Sequence, residues 1–371
     1  MTETPETSPS DPPEHPDRHE RDDSADPGRD TIALPSHVAG SGALDRLVET
    51  ARDYARQAAS ENTLKAYAKD WAHFARWCRM RGADPLPGSP LLIGLYIADL
   101  AAPSGKALSQ AASRPLSVSS IVRRLSGLAW GYAQRGERLD RKDPHIASVL
   151  AGIRRKHARP PAQKEAILPD DLRDMLATLP HDLRGLRDRA ILLIGFAGGL
   201  RRSEIVSLDH GKYDTPDSGG WVEIMEDGAL ITLRGKTGWR EVEIGRGSSD
   251  QSCPVHSLSQ WLHYSKIDFG PLFVAVSRNG LKATDERLSD KHVARLIKSC
   301  VREAGLRPDL PETERLRRFS GHSLRAGLAT SAEVDERFVQ KQLGHASAEM
   351  TRRYQRRRDR FRVNLTKAAG L

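Results

Sequence analysis

GHSLRAGLAT, residues 321–330, sets His322 and Arg325 three positions apart at the start of a helix, so that both side chains point toward one target. A helix N-terminus also favours an anion at that place. Just downstream, QLGHASAEMTRRY (342–354) ends a helix at Gly344, continues with His345 and reaches Tyr354. Upstream, GGLRRSEIVSL (198–208) follows a strongly apolar helix, and its two glycines permit a tight bend that puts Arg201 at the start of the next helix. Between these, GKTG (235–238) places Lys236 in the turn of a strand pair. Each segment also has a plain structural reading when taken alone. Arg201 is then a surface arginine in a helical junction, Lys236 an exposed turn lysine, and Arg325 a solvated side chain on a capped helix.

The combination carries more chemistry than its parts. Two arginines, one lysine and two histidines are the groups needed around a pentacoordinate phosphate. Arginine binds phosphate oxygens bidentately. Histidine can donate or accept a proton at neutral pH. Lysine can hand a proton to a leaving oxygen. Tyrosine can act as a covalent nucleophile once its proton is removed or its developing charge is stabilised. No carboxylate cluster or Cys/His set suited to Mg²⁺ or Zn²⁺ accompanies these residues, so fixed side chains would supply the electrostatic stabilisation. The Gly-Lys-Thr of residues 235–237 is not a nucleotide-binding loop. That motif would need glycine at position 230, which is Leu230, and a helix after the turn, whereas strand patterns flank it.

In order, spacing and letters, residues 198–208, 235–238, 321–330 and 342–354 resemble the sequence boxes of the tyrosine recombinase family, the phage integrases and Xer-type recombinases. SENTLKAYAKDWAHFARWC (60–78) resembles the first helix of that family's core-binding domain, and CPVHSLSQWL (253–262) the helix that follows the hairpin. The likeness extends over about residues 43–360. It implies a site-specific DNA recombinase in which Arg201 and Arg325 hold the scissile phosphate and Lys236 protonates the 5′-hydroxyl leaving group. His322 would serve as proton acceptor or phosphate donor, His345 would position the phosphate, and Tyr354 would be the nucleophile. Glu204 falls on an acidic position after the first arginine and reads as a structural partner. The implied reaction forms a 3′-phosphotyrosyl link and needs neither metal nor ATP; no cofactor is expected. The implied partners are double-stranded DNA at a specific recombination site and further protomers, four at synapsis, or a second recombinase. Type IB topoisomerase-like relaxation and a DNA-binding regulator without cleavage are the alternatives. The six filled chemical positions weigh against the regulator, and relaxation without need of a specific site would mark the topoisomerase.

The rest of the chain fits a soluble, cytoplasmic DNA-binding protein. Residues 1–30 hold ten acidic residues against three arginines, so the remainder is more basic than the formal net charge of +9. A basic body favours polyanions, because each neutralised phosphate releases counterions. Cys78, Cys253 and Cys300 are odd in number and widely spaced, which argues against a disulfide framework. Cys253 and His256 form half of a zinc-like spacing with no second pair. The longest apolar runs are too short to span a bilayer.

Periodicity predicts a mainly α protein with a small antiparallel β-sheet (α+β), and the resemblance implies a two-domain DNA clamp with that sheet in the catalytic domain. Residues 1–42, rich in Pro, Ser, Asp and Glu, are expected to be a disordered acidic tail. Residues 43–157 are expected to form a helical core-binding (SAM-like) DNA-binding domain, with Leu64, Tyr67, Trp71, Phe74 and Ala75 on one helical face. Arg123, on the face away from its helix's apolar stripe, and Arg124, nearer its edge, are candidate phosphate contacts. Residues 158–168, with two prolines, read as linker, and 169–371 as the catalytic domain. Residues 221–224, 230–233 and 240–244 read as three short strands. The resemblance implies that the tail after Tyr354, with Phe361, Val363 and Leu365, docks on a neighbouring protomer; the alternative is a helix packed on its own domain.

Overall fold

The computed structural model describes residues 59–102, 115–160, 163–212, 215–235 and 238–344, with isolated positions before 59 and between 347 and 352. The acidic tail, Lys236, His345, Tyr354 and the C-terminal apolar residues all lie outside the described residues. The chain divides into two compact units between residues 161 and 162. Among the described residues no helix is long and apolar enough to cross a membrane.

The first unit is helical: α1 (Glu61–Arg79), α2 (Pro90–Ala101), α3 (Val118–Ala133) and α4 (Pro144–His157). Local sequence sets their starts. Ser60, Ser89, Ser117 and Asp143 each accept a hydrogen bond from a backbone N–H in the first turn. Pro90 and Pro144 occupy first-turn positions where no backbone donor is needed. Trp71, Phe74, Ile93, Tyr96, Ile97, Ile121, Leu128 and Tyr132 close the core between the helices. Trp71 packs edge-on against Tyr132, with ring centroids 5.0 Å apart.

In the second unit α5 (Pro169–Ala177) and α6 (Leu183–Ala197) precede a short α7 (Arg202–Val206), and a sheet follows: β1 (Leu208–His210), β2 (Gly220–Ile224), β3 (Gly228–Gly235) and β4 (Gly238–Gly245). After α8 (Pro254–Ser265) come β5 (Gly270–Pro271), β6 (Val274–Val276) and β7 (Ala283–Arg287). Then follow α9 (Asp290–Glu303), α10 (Glu312–Arg318), α11 (Gly321–Ser331) and α12 (Glu336–Leu343). The five-stranded sheet runs β4-β3-β2-β1-β5, and β6 pairs with β7 in a second, antiparallel sheet. The three strands legible in the sequence are β2, β3 and β4, paired antiparallel. β1 joins them in parallel to β2, which makes the larger sheet mixed rather than wholly antiparallel. Three residues are too few to display a period of two, so β1 leaves no sequence signature. Val222, Ala229, Ile231, Leu233, Val242 and Ile244 alternate toward one face and are buried with Ile191, Leu193, Val255, Leu258 and Trp261.

Part of the stretch read as linker belongs to this second unit. The Glu165 N–H donates to the Arg318 carbonyl, the Ile167 N–H to that of Ser323, and the Ile167 side chain is buried. Cys253 has a structural task as well: its Sγ accepts from the N–H groups of Gly247 and His256 at the start of α8. The zinc-like Cys253–His256 spacing is thus that of a helix cap. All three cysteines are buried and unbridged.

Candidate active site

The site is assembled around the turn that leaves α6. The Gly198 and Gly199 N–H groups donate to the Ile194 and Phe196 carbonyls and end the helix. Gly199 then takes a left-handed conformation, φ +55°, and a Cβ there would lie 2.5 Å from Leu343 Cδ2. Only a residue without a side chain meets both conditions. This turn delivers Arg201 as the residue capping α7.

Glu204, one turn into α7, fixes Arg201 twice. Its Oε2 accepts the Arg201 backbone N–H at 2.8 Å, and its Oε1 accepts from Arg201 Nη1 at 2.8 Å. Arg240, from β4, adds a third contact, Nη2 to Glu204 Oε2 at 3.0 Å. Burial alone would raise the Glu204 carboxyl, but Arg240 and Arg201 outweigh it and hold the group below the usual carboxylate range. Glu204 is therefore a buried anion between two guanidiniums.

Arg325 reaches the same turn from α11. Ser320 caps that helix, accepting from the His322 N–H, while the Ser323 hydroxyl accepts the Ser320 N–H. His322 is half-buried at the first turn, and Arg325, one turn on, is fully buried. Arg325 Nη1 donates to the Gly199 carbonyl at 2.7 Å and Nη2 to the Leu343 carbonyl. Arg202 packs over Gly321, where a Cβ would sit 2.1 Å from its Cγ, and pairs with Asp290 at 3.6 Å. The starts of α7 and α11, with Arg201 and His322, are thereby brought together.

Two further residues of the expected site, Lys236 and His345, lie outside the described residues, and only their neighbours are described. Gly235 and Gly238 pair across the β3–β4 hairpin and bracket the turn that contains Lys236. Gly344 ends α12 in a left-handed conformation, φ +58°, directly before His345. Leu343 is fully buried against Val339 and Ala329.

Arg123 and Arg124 sit differently from the sequence reading. Both are turned into the first unit. Arg123 makes a two-pronged ion pair with buried Asp70 on α1, at 2.6 and 2.9 Å. Arg124 Nη1 donates to the Tyr96 hydroxyl at 2.9 Å. The pattern of apolar residues on α3 does not register Asp70 as a partner, because it lies on another helix.

Arg240 went unread in the sequence, although a signal is there. In the run Arg240-Glu241-Val242-Glu243-Ile244 the arginine keeps phase with Val242 and Ile244, a charged residue on a core-facing row.

Two guanidiniums are thus fixed beside a glycine turn, with a histidine at an adjoining helix start. The phage integrase family model matches residues 165–360. A relative, the integrase/recombinase xerD homolog of Selenomonas ruminantium, is 33% identical over 331 residues, covering 86% of this chain and 89% of that protein. Tyrosine recombinase XerD of Bradyrhizobium diazoefficiens is 26% identical over 318 residues, covering 81% and 87%. Among solved structures, the XerH recombinase bound to its palindromic difH substrate in a post-cleavage complex has a TM-score of 0.52 at 16% identity, covering 84% of this chain and 79% of that one. A lambda integrase fragment bound as a dimer to a core site has a TM-score of 0.50 at 15% identity, covering 84% and 93%. The chain belongs to the phage integrase family and is a site-specific tyrosine recombinase, an enzyme that breaks and rejoins DNA.

Proposed function

We propose that Tyr354 attacks the scissile phosphodiester of duplex DNA, forming a 3′-phosphotyrosyl link and releasing a 5′-hydroxyl. The tyrosine proton leaves as the new P–O bond forms, and Lys236 returns a proton to the departing 5′-oxygen. Arg201 and Arg325 bind the non-bridging oxygens and stabilise the charge that develops on them. His322 accepts a proton or donates to the phosphate, and His345 orients it. Glu204 keeps Arg201 in place. The phosphotyrosyl bond retains the energy of the broken linkage, so the 5′-hydroxyl of a partner strand reseals it without ATP.

The observation that carries this reading is the shared support of the two arginines. Arg325 is clamped to the Gly199 carbonyl, two residues before Arg201, while Arg201 is held twice by Glu204. Preorganised donors of this kind need no rearrangement as charge develops. In this proposal the helical first unit, about residues 43–157, and the catalytic unit both bind the duplex. Two duplexes exchanged strand by strand require four protomers, or this chain together with a second recombinase. The XerH complex on a palindromic substrate and the lambda integrase dimer on its core site support the reading of DNA and further protomers as partners.

A plasmid carrying two copies of the DNA that flanks the gene tests the proposal. The wild-type protein is expected to delete or invert the segment between them, and Tyr354→Phe to leave the plasmid intact. Relaxation of supercoiled DNA lacking that sequence, without deletion or inversion, would contradict it.

A further inference from the structure

Arg240 touches three parts of the site at once. Its Nη2 lies 3.0 Å from Glu204 Oε2, the carboxylate that also holds Arg201. Its Nη1 donates to the Gln342 carbonyl at 2.7 Å, in the last turn of α12. Its Cδ, Nε and Cζ pass over Gly344, where a Cβ would meet them at 2.8 to 3.1 Å. The residue itself stands on β4, opposite Leu233 and close to the hairpin turn. Gln342 strengthens the same junction, its Nε2 donating to the carbonyls of Ala197 at 3.1 Å and Glu243 at 3.0 Å.

We infer that Arg240 is a positioning residue for DNA cleavage, one that ties the Glu204–Arg201 pair to the end of α12 and so sets the phosphate-binding arginine in register with the segment that leads to Tyr354. The inference rests on the roles proposed above for Arg201 and Tyr354. A guanidinium suits the task because its planar fork can bond a carboxylate on one side and a carbonyl on the other. Lysine, a single point charge on a flexible stem, can satisfy one of these partners but cannot bridge them. Glycine at 344 follows from the same geometry, since the guanidinium is pinned at both ends over that residue. Arg240 does not need to touch DNA for this, and its loss is felt in the cleavage step more than in binding.

The test uses the full chain and a nicked suicide duplex taken from the DNA flanking the gene. Affinity for the duplex is measured first. The rate of covalent complex formation is then followed with the DNA saturated, at a temperature where circular dichroism shows each variant folded. Arg240→Ala is expected to bind within about threefold of wild type and to cleave about 100-fold more slowly, the scale of a misplacement near 1 Å. Arg240→Lys is expected to recover about tenfold of that loss, and it decides the matter if the alanine variant does not fold. Arg240→Ala combined with Glu204→Gln should be no slower than the slower single variant, because both cut one link. Cleavage by a saturated, folded Arg240 variant within threefold of wild type would overturn the inference, as would single-variant losses that multiply in the double variant. If wild type itself gives no covalent product that depends on Tyr354, the underlying reading falls, and this inference with it.

Discussion

Nη1 of Arg325 lies 2.7 Å from the carbonyl oxygen of Gly199, and the same guanidinium donates to the carbonyl of Leu343. One buried side chain thus joins the turn that presents Arg201 to the helix end that precedes His345. Arg325→Lys is expected to leave the fold intact but to lower the cleavage rate by about 10²- to 10³-fold, the cost of losing one preorganised donor. Single-turnover formation of the covalent complex checks this.

Gly199 is the other half of that contact. With φ at +55° and Leu343 Cδ2 2.5 Å from where a Cβ would stand, Gly199→Ala must both strain the backbone and displace the Leu343 side chain. A loss of about 1 to 3 kcal/mol is expected from the backbone strain. Urea unfolding of the variant beside wild type measures it.

Arg123 provides a different kind of test, because its structural partner is known. Asp70 has a side chain only 4% exposed, and Arg123 holds it with both ends of its guanidinium. Arg123→Ala leaves that buried carboxylate only the longer Arg124 contact, at 3.9 Å, and is expected to destabilise the protein by about 3 kcal/mol. Arg123→Ala with Asp70→Asn should be less destabilised than Arg123→Ala alone. Full stability in the single variant, with weakened DNA binding, would make Arg123 a phosphate contact instead.

The chemistry of this site was more legible than its supports. The order of GGLRRSEIVSL, GKTG, GHSLRAGLAT and QLGHASAEMTRRY pointed to a phosphate site, because contiguous letters encode a turn, a helix start and the groups on them. The strands around Trp221, Leu230 and Arg240 were readable from alternation. What escaped were contacts between distant segments: Asp70 with Arg123, Glu204 with Arg240, and the parallel pairing of β1 with β2. Asp70 and Arg123 are 53 positions apart in the chain, and no periodicity within one helix records such a partner. Residues 165–167 were read as linker because Pro160 and Pro161 lie just before them, yet Ile167 is fully buried.

Glu204 links the site to acidity. Its folded carboxyl titrates below its ordinary value, so it contributes stability that is complete above the unfolded value near 4.5 and is lost as the pH falls through the lower, folded value. Wild type should therefore lose stability more steeply than Glu204→Gln when the pH is taken below about 4.3, the ordinary glutamate range. Urea midpoints for the two proteins at a series of pH values would reveal the difference. Parallel curves would mean that Glu204 is not an anion held by Arg240 and Arg201.

The central claim is that Tyr354 is the nucleophile in a site whose electrostatics come from its own side chains. A nicked suicide duplex incubated with the protein in EDTA tests both parts in one gel. A covalent protein–DNA band with wild type and none with Tyr354→Phe is the result this account predicts. A band that survives Tyr354→Phe, or one that forms only when a divalent metal is restored, would contradict it.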